Sequence, residues 1–68
     1  MSETEIRILG DILSAPGPIR ILTLRMRYLL GMGSRAFRRT LEKFERCGVV
    51  EIYDSGGLFA RDMIRVAD

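Results

Sequence analysis

The sequence has no histidine, tryptophan, asparagine or glutamine, and only one cysteine, Cys47, and one lysine, Lys43. Each absence removes a class of chemistry. A single thiol makes no internal disulfide, and without imidazole or a second thiol no zinc site of the usual kind can be assembled. A nucleophile–base pair would have to take its base from Asp, Glu or Lys. Carboxylate pairs remain, but 68 residues leave little room for a concave pocket, so neither an enzyme, a cofactor nor a small-molecule ligand is expected. No apolar run approaches the roughly 20 residues of a membrane span. The opening Met1-Ser2-Glu3-Thr4-Glu5 lacks the basic start of a signal peptide, which makes a cytoplasmic location the expectation.

What is present is globular in character. The hydrophobic fraction is 47% and the charged fraction 29%, outside the range of disordered chains. One domain over residues 1–68 is expected. A chain this short buries only about 60% of its unfolded surface, so its stability is marginal.

The net charge of +2 conceals a strong polarity along the chain. No acidic residue falls between Ile12 and Leu41, whereas Arg20, Arg25, Arg27, Arg35, Arg38 and Arg39 all do. Residues 20–46 carry eight basic and two acidic side chains, net +6, and the remainder carries three basic and seven acidic, net −4. Segregation of this kind is the footprint of a polyanion binder. The plainer alternative is a solvated arginine face with no partner. The arginine excess and the missing amides also fit a thermophilic or GC-rich source.

Local signals set the order of elements. Ser2-x-x-Glu5 is a capping box opening a helix over 3–14. On its wheel Ile6, Leu9 and Leu13 share one face, and Ile8 and Ile12 form a flank beyond what one small core requires. That surplus flank suggests a homodimer interface at Ile8 and Ile12. Gly10 in mid-helix suggests close packing there. Ala15-Pro16-Gly17-Pro18 ends the helix, and Ile19-Arg20-Ile21 reads as a short strand. Thr23 is a candidate cap for a helix over 24–30, with Met26, Leu29 and Leu30 inward and Arg25 and Arg27 outward. Either Gly31 or Gly33 can supply the left-handed stop.

Ser34 then caps a third helix over 35–46, the clearest pattern in the chain. Phe37, Leu41 and Phe44 are spaced four and three apart and form its core stripe, while Arg35, Arg39, Glu42 and Arg46 fall opposite. Arg38 and Lys43 take the two shoulders, and Gly48 closes the helix. Arg46 at the helix end is accounted for by the dipole alone. Cys47 reads as a small buried or half-buried filler. The β-branched run 49–54, the turn Asp54-Ser55-Gly56-Gly57 and the segment 58–66 read as a β-hairpin. Asp62 interrupts its apolar face without an evident reason.

Taken together, this α+β order resembles the winged helix-turn-helix superfamily of small transcriptional regulators. The resemblance is strongest from Gly31 to Ile52, where Ser34-Arg35-Ala36-Phe37-Arg38-Arg39-Thr40-Leu41-Glu42-Lys43-Phe44 and Gly48-Val49-Val50 look like a recognition helix running into the first wing strand. Two departures stand out: an unusually apolar second helix, and a wing turn with no basic residue before Arg61.

The resemblance implies a regulator of double-stranded DNA, with repression by occlusion as the simplest mechanism, paired as a homodimer over two half-sites. It places the third helix in the major groove, with Arg35, Arg38, Arg39 and Glu42 toward base edges and Ser34 with the helix-start N–H groups on a phosphate. Arg25, Arg27 and Lys43 would hold flanking backbone, and Phe59 and Arg61 the minor groove. Independently of any family, guanidinium matches phosphate and the guanine edge bidentately, and without Asn or Gln the bidentate reading of adenine is closed. The alternatives are a winged-helix module that binds protein rather than DNA, and a non-specific RNA or nucleic-acid binder.

Overall fold

A computed structural model describes residues 1–57 and 60–68. Leu58 and Phe59 lie outside the described residues, and with them the start of the expected 58–66 strand and the minor-groove role of Phe59; of the rest of that strand, Ala60 and Arg61 form a turn and pairing begins only at Met63. The elements run α1 (Glu3–Ser14), β1 (Ile19–Arg20), α2 (Ile21–Arg27), α3 (Ser34–Arg46), β2 (Val50–Tyr53) and β3 (Met63–Val66). Three helices thus accompany one antiparallel sheet in the order β1-β3-β2.

The capping box of α1 forms in both directions. Ser2 Oγ accepts from the Glu5 amide at 3.2 Å, and Glu5 Oε1 accepts from the Ser2 amide at 3.0 Å. The helix is turned differently from the expectation, however. Ile8 and Ile12 are 0% and 1% exposed in the core, whereas Ile6 and Leu13 are 57% and 51% exposed. Ile8 and Ile12 are therefore interior to their own subunit and unavailable as a dimer interface. Ile8–Ile12 and Ile6–Leu13 lie about 130° apart on the helix wheel, and one small core covers the first, reaching only as far as the half-buried Leu9 of the other face. Gly10 is also not a packing site, because a Cβ built there meets no atom within 4 Å.

The second helix starts three residues earlier than its sequence suggested. Thr23 does not cap it; instead the Ile21 amide donates to the Asp62 carbonyl at 2.9 Å, so the chain turns into α2 directly from β1. A long-range backbone bond has overridden a local signal. The helix stops at Arg27 with Tyr28 as its C-cap, and neither Gly31 nor Gly33 takes a left-handed conformation. Its apolar face is also turned from the expected one, although Arg27 is exposed as expected. Leu24 is its one buried residue, Leu22, Met26, Leu29 and Leu30 are exposed, and Arg25 is half-buried.

The third helix matches its pattern closely. Gly33 occupies the N-cap position and Ser34 is the first helical residue, a shift of one. Phe37, Leu41 and Phe44 are buried as expected, joined by Thr40, whose hydroxyl donates to the Ala36 carbonyl at 2.9 Å. Gly48 at φ +77 ends the helix in a Schellman arrangement, with Val49 N–H donating to the Phe44 carbonyl and Gly48 N–H to the Glu45 carbonyl. Cys47, expected as a filler, is exposed.

The hairpin pairs Val50 with Val66 and Ile52 with Ile64, which sends Val50 and Ile64 into the core. Glu51 and Arg65 face each other across the strands in an ion pair, with the guanidinium 4.5 Å from the Tyr53 ring centroid. Asp62 now has its reason: its carboxylate accepts from the Ser55 amide at 2.9 Å and the Ser55 hydroxyl at 2.7 Å, clasping the two ends of the turn.

Candidate nucleic-acid interface

Because Phe37, Leu41 and Phe44 fix one side of α3 against the core, helical geometry sends residues 35, 39, 42 and 46 to the opposite side. Arg35, Arg39, Glu42 and Arg46 are exposed there, and Arg38 is exposed on the shoulder toward the hairpin. Among the described residues, none of Arg35, Arg38, Arg39 and Arg46 enters an ion pair; those that form are Arg7–Glu3, Arg27–Asp11, Lys43–Glu5, Arg61–Glu45 and Arg65–Glu51. One helix face thus carries four uncompensated guanidinium groups and one carboxylate, over a base of aromatic and aliphatic packing.

Of the other basic residues, all but Arg20 are engaged within the molecule. Lys43 Nζ lies 3.2 Å from Glu5 Oε2, tying the far shoulder of α3 to the start of α1. The Ser2 amide, and after it Lys43, hold the Glu5 carboxyl below its ordinary value of 4.5. Arg25 donates to the Tyr28 carbonyl at 3.2 Å, and its guanidinium sits 5.6 Å from the Phe37 ring centroid. Arg27 comes within 3.9 Å of Asp11, which also accepts from the Tyr28 hydroxyl. Burial first, and then that bond to Asp11, push the Tyr28 phenol up to about 12.

Arg61 differs in kind. It is the one non-glycine among the described residues with positive φ, at 54°, a conformation costing on the order of 1–3 kcal/mol. Its guanidinium is 2.6 Å from Glu45 Oε1, while the second Glu45 oxygen accepts from the Ile52 amide at 3.4 Å. Glu45 therefore tethers the hairpin to α3 by both of its oxygens.

Of the residues expected to form the site, Ser34, Arg35, Arg38, Arg39 and Glu42 lie together on α3. Arg25 and Arg61 meet Arg38 along a groove on the hairpin side, Lys43 faces the opposite shoulder, and Arg27 points toward α1. Two arginines were missed. Arg46, assigned to the helix dipole, borders a shallow concavity with Arg39 and Lys43, and Arg20 borders the hairpin-side groove. Both belonged to the basic run of the sequence, the one signal that pointed to them.

Comparisons with protein-family models, with curated proteins and with solved structures give no match. Among the described residues no cluster of three or more His, Cys, Asp or Glu is placed to hold a metal ion, and no helix is long and apolar enough to cross a membrane. What the exposed side of α3 offers chemically is anion recognition.

Proposed function

We propose that this chain is a winged helix-turn-helix protein that binds double-stranded DNA in a sequence-specific manner and regulates transcription, with α3 seated in the major groove. The observation that carries the reading is the uncompensated row Arg35, Arg38, Arg39 and Arg46 on the solvent side of a helix whose other side is locked into the core. Supporting it are the short α2 that precedes α3 across the turn and the β2–β3 hairpin that follows it, the arrangement of a helix-turn-helix with one wing.

In this reading Arg35, Arg38 and Arg39 meet base edges and phosphates, Ser34 and the first amides of α3 hold a phosphate, and Glu42 accepts from cytosine N4. Arginine favours guanine, so the preferred site is rich in G·C pairs. Pairing of two subunits over half-sites about 34 Å apart would use the exposed stripe of Ile6 and Leu13 in place of Ile8 and Ile12. Occlusion of a promoter is the simplest mode of action.

The test is selection from random duplexes followed by anisotropy titrations at several salt concentrations. Four or five phosphate contacts per subunit give a slope of log K against log salt of about −4. Affinity that stays flat from low to moderate salt rejects the reading.

A second reading is favoured by the outward apolar residues Leu22, Met26, Leu29 and Leu30: a protein-binding module with α2 and the turn after it as its contact surface. Changing Arg35 and Arg39 together to Ala abolishes DNA retention under the first reading and leaves partner capture intact under the second.

A further inference from the structure

Between the start of α2, the Arg38 shoulder of α3 and the base of the hairpin lies a groove of about 430 Å³. That volume falls in the roughly 300–1,000 Å³ range of small-molecule sites, although the length of the chain argued against one. The open apolar lining of its floor comes from Ile21 and Ile52 with Leu22 at the lip, over Phe37 and Leu41, which are almost wholly covered beneath. Its rim carries four guanidinium groups, Arg20, Arg25, Arg38 and Arg61, against the carboxylates of Glu42 and Asp62. Asp62 is already engaged by Ser55, Arg61 by Glu45, and Arg25 lies over the Phe37 ring. Arg20 and Arg38 enter no ion pair among the described residues. An apolar trough thus has net positive charge at its edge, with Arg20 within the field of Asp62 and Arg38 free of any ion pair among the described residues.

We propose that this groove binds a small aromatic carboxylate, its ring lying on the apolar floor beside Arg25 and its carboxylate held by Arg20 and Arg38. Guanidinium is suited to both halves of such a ligand, since it matches a carboxylate with two parallel hydrogen bonds and stacks on aromatic faces. A neutral ring leaves the rim charges unused, a bare inorganic anion leaves the floor uncovered, and a flexible aliphatic acid loses more conformational entropy on binding. Arg38 belongs both to this groove and to the exposed side of α3, so an occupied groove withdraws it from any polyanion.

The probe is 2-naphthoate, titrated into the ¹⁵N-labelled full chain, with 2-naphthamide as its neutral isostere and acetate as its head group alone. The expected result is saturable amide shifts confined to the groove, with 2-naphthamide binding roughly tenfold more weakly and acetate failing to saturate. Arg38→Gln weakens 2-naphthoate about tenfold. Leu22→Glu, at a position 69% exposed and outside the core, abolishes binding, and Arg7→Gln on the surface of α1 leaves it unchanged. Equal affinity for carboxylate and amide, shifts scattered over the surface, or no binding each overturns the proposal. The titration contains no nucleic acid, so its outcome is independent of the DNA reading.

Discussion

Helices α2 and α3 are consecutive, both rich in arginine and both amphipathic by composition, yet they treat their residues in opposite ways. Over its 13 residues α3 buries a complete apolar stripe and leaves its arginines in water with no acidic partner. Over its 7 residues α2 fully buries only Leu24, with Ile21 half-buried against the core, turns Leu22 and Met26 outward, and draws Arg25 onto Phe37 and Arg27 toward Asp11. The lesson concerns charge counting. Eight basic residues between 20 and 46 describe a field, but only those without an intramolecular partner are ready to meet a ligand. Most of that free charge sits on α3.

The largest effect expected from this contrast is on stability. Leu24→Ala removes the only buried anchor of α2 and should cost about 2–5 kcal/mol, whereas Leu22→Ala and Met26→Ala should stay within about 0.5 kcal/mol. A domain of this length holds roughly 3–10 kcal/mol in all, so the first variant loses much of its cooperative urea transition and the other two keep it. Similar losses at all three positions would mean that the outer side of α2 is covered in solution.

On DNA affinity, Arg35→Ala and Arg39→Ala should each cost about 1–3 kcal/mol, and the double variant should weaken duplex binding on the order of a hundredfold or more. Arg27→Ala, already within reach of Asp11, should lose no more than about threefold. Anisotropy titration of the four variants side by side breaks the contrast if Arg27 matters as much as the α3 pair.

How far all this was legible depends on whether a signal is local. The bounds of α1 and α3 follow from the Ser2–Glu5 box, the Pro-Gly-Pro stop, the spacing of Phe37, Leu41 and Phe44, and Gly48, all read within a few residues. The exposed row of α3 was legible for the same reason. The start of α2 was not, because the Ile21–Asp62 backbone bond joins positions 41 apart in the chain. Nor was the choice between the Ile8–Ile12 and Ile6–Leu13 stripes of α1, which only the surrounding elements make. The engagement of Lys43 by Glu5 and of Arg61 by Glu45 likewise crosses between elements, and so does the groove that Arg20 and Arg38 share.

A smaller and cleaner effect tests the turn of α1. Gly10 sits in mid-helix with open space where a side chain would go. Gly10→Ala should therefore stabilise the domain by about 1 kcal/mol through helix propensity alone. A loss instead would mean that a partner surface closes on that side of α1, which would also relocate the exposed apolar stripe into an interface. Thermal melts at two protein concentrations separate these outcomes.

The smallest effects are in pH, and they again set two regions against each other. At the hairpin, the Ser55 hydroxyl and then its amide hold the Asp62 carboxyl below its ordinary value of 3.8. At the junction of α1 and α3, the Ser2 amide and Lys43 do the same for Glu5 relative to 4.5. A depressed carboxyl stabilises the fold above its unfolded value and loses that contribution as pH falls through the folded one, so both tethers should loosen in acid, below about pH 4. Tyr28 has the reverse sign: raised from 10.0 to about 12, it contributes below 10.0 and loses that contribution as pH rises toward 12. In an NMR titration Ser55→Ala should move the Asp62 midpoint up toward 3.8 while leaving that of Glu5 in place, since the two lie on separate tethers. If both midpoints move together, the hairpin and the α1–α3 junction form a single electrostatic unit, and the exposed side of α3 between them is held from both ends at once.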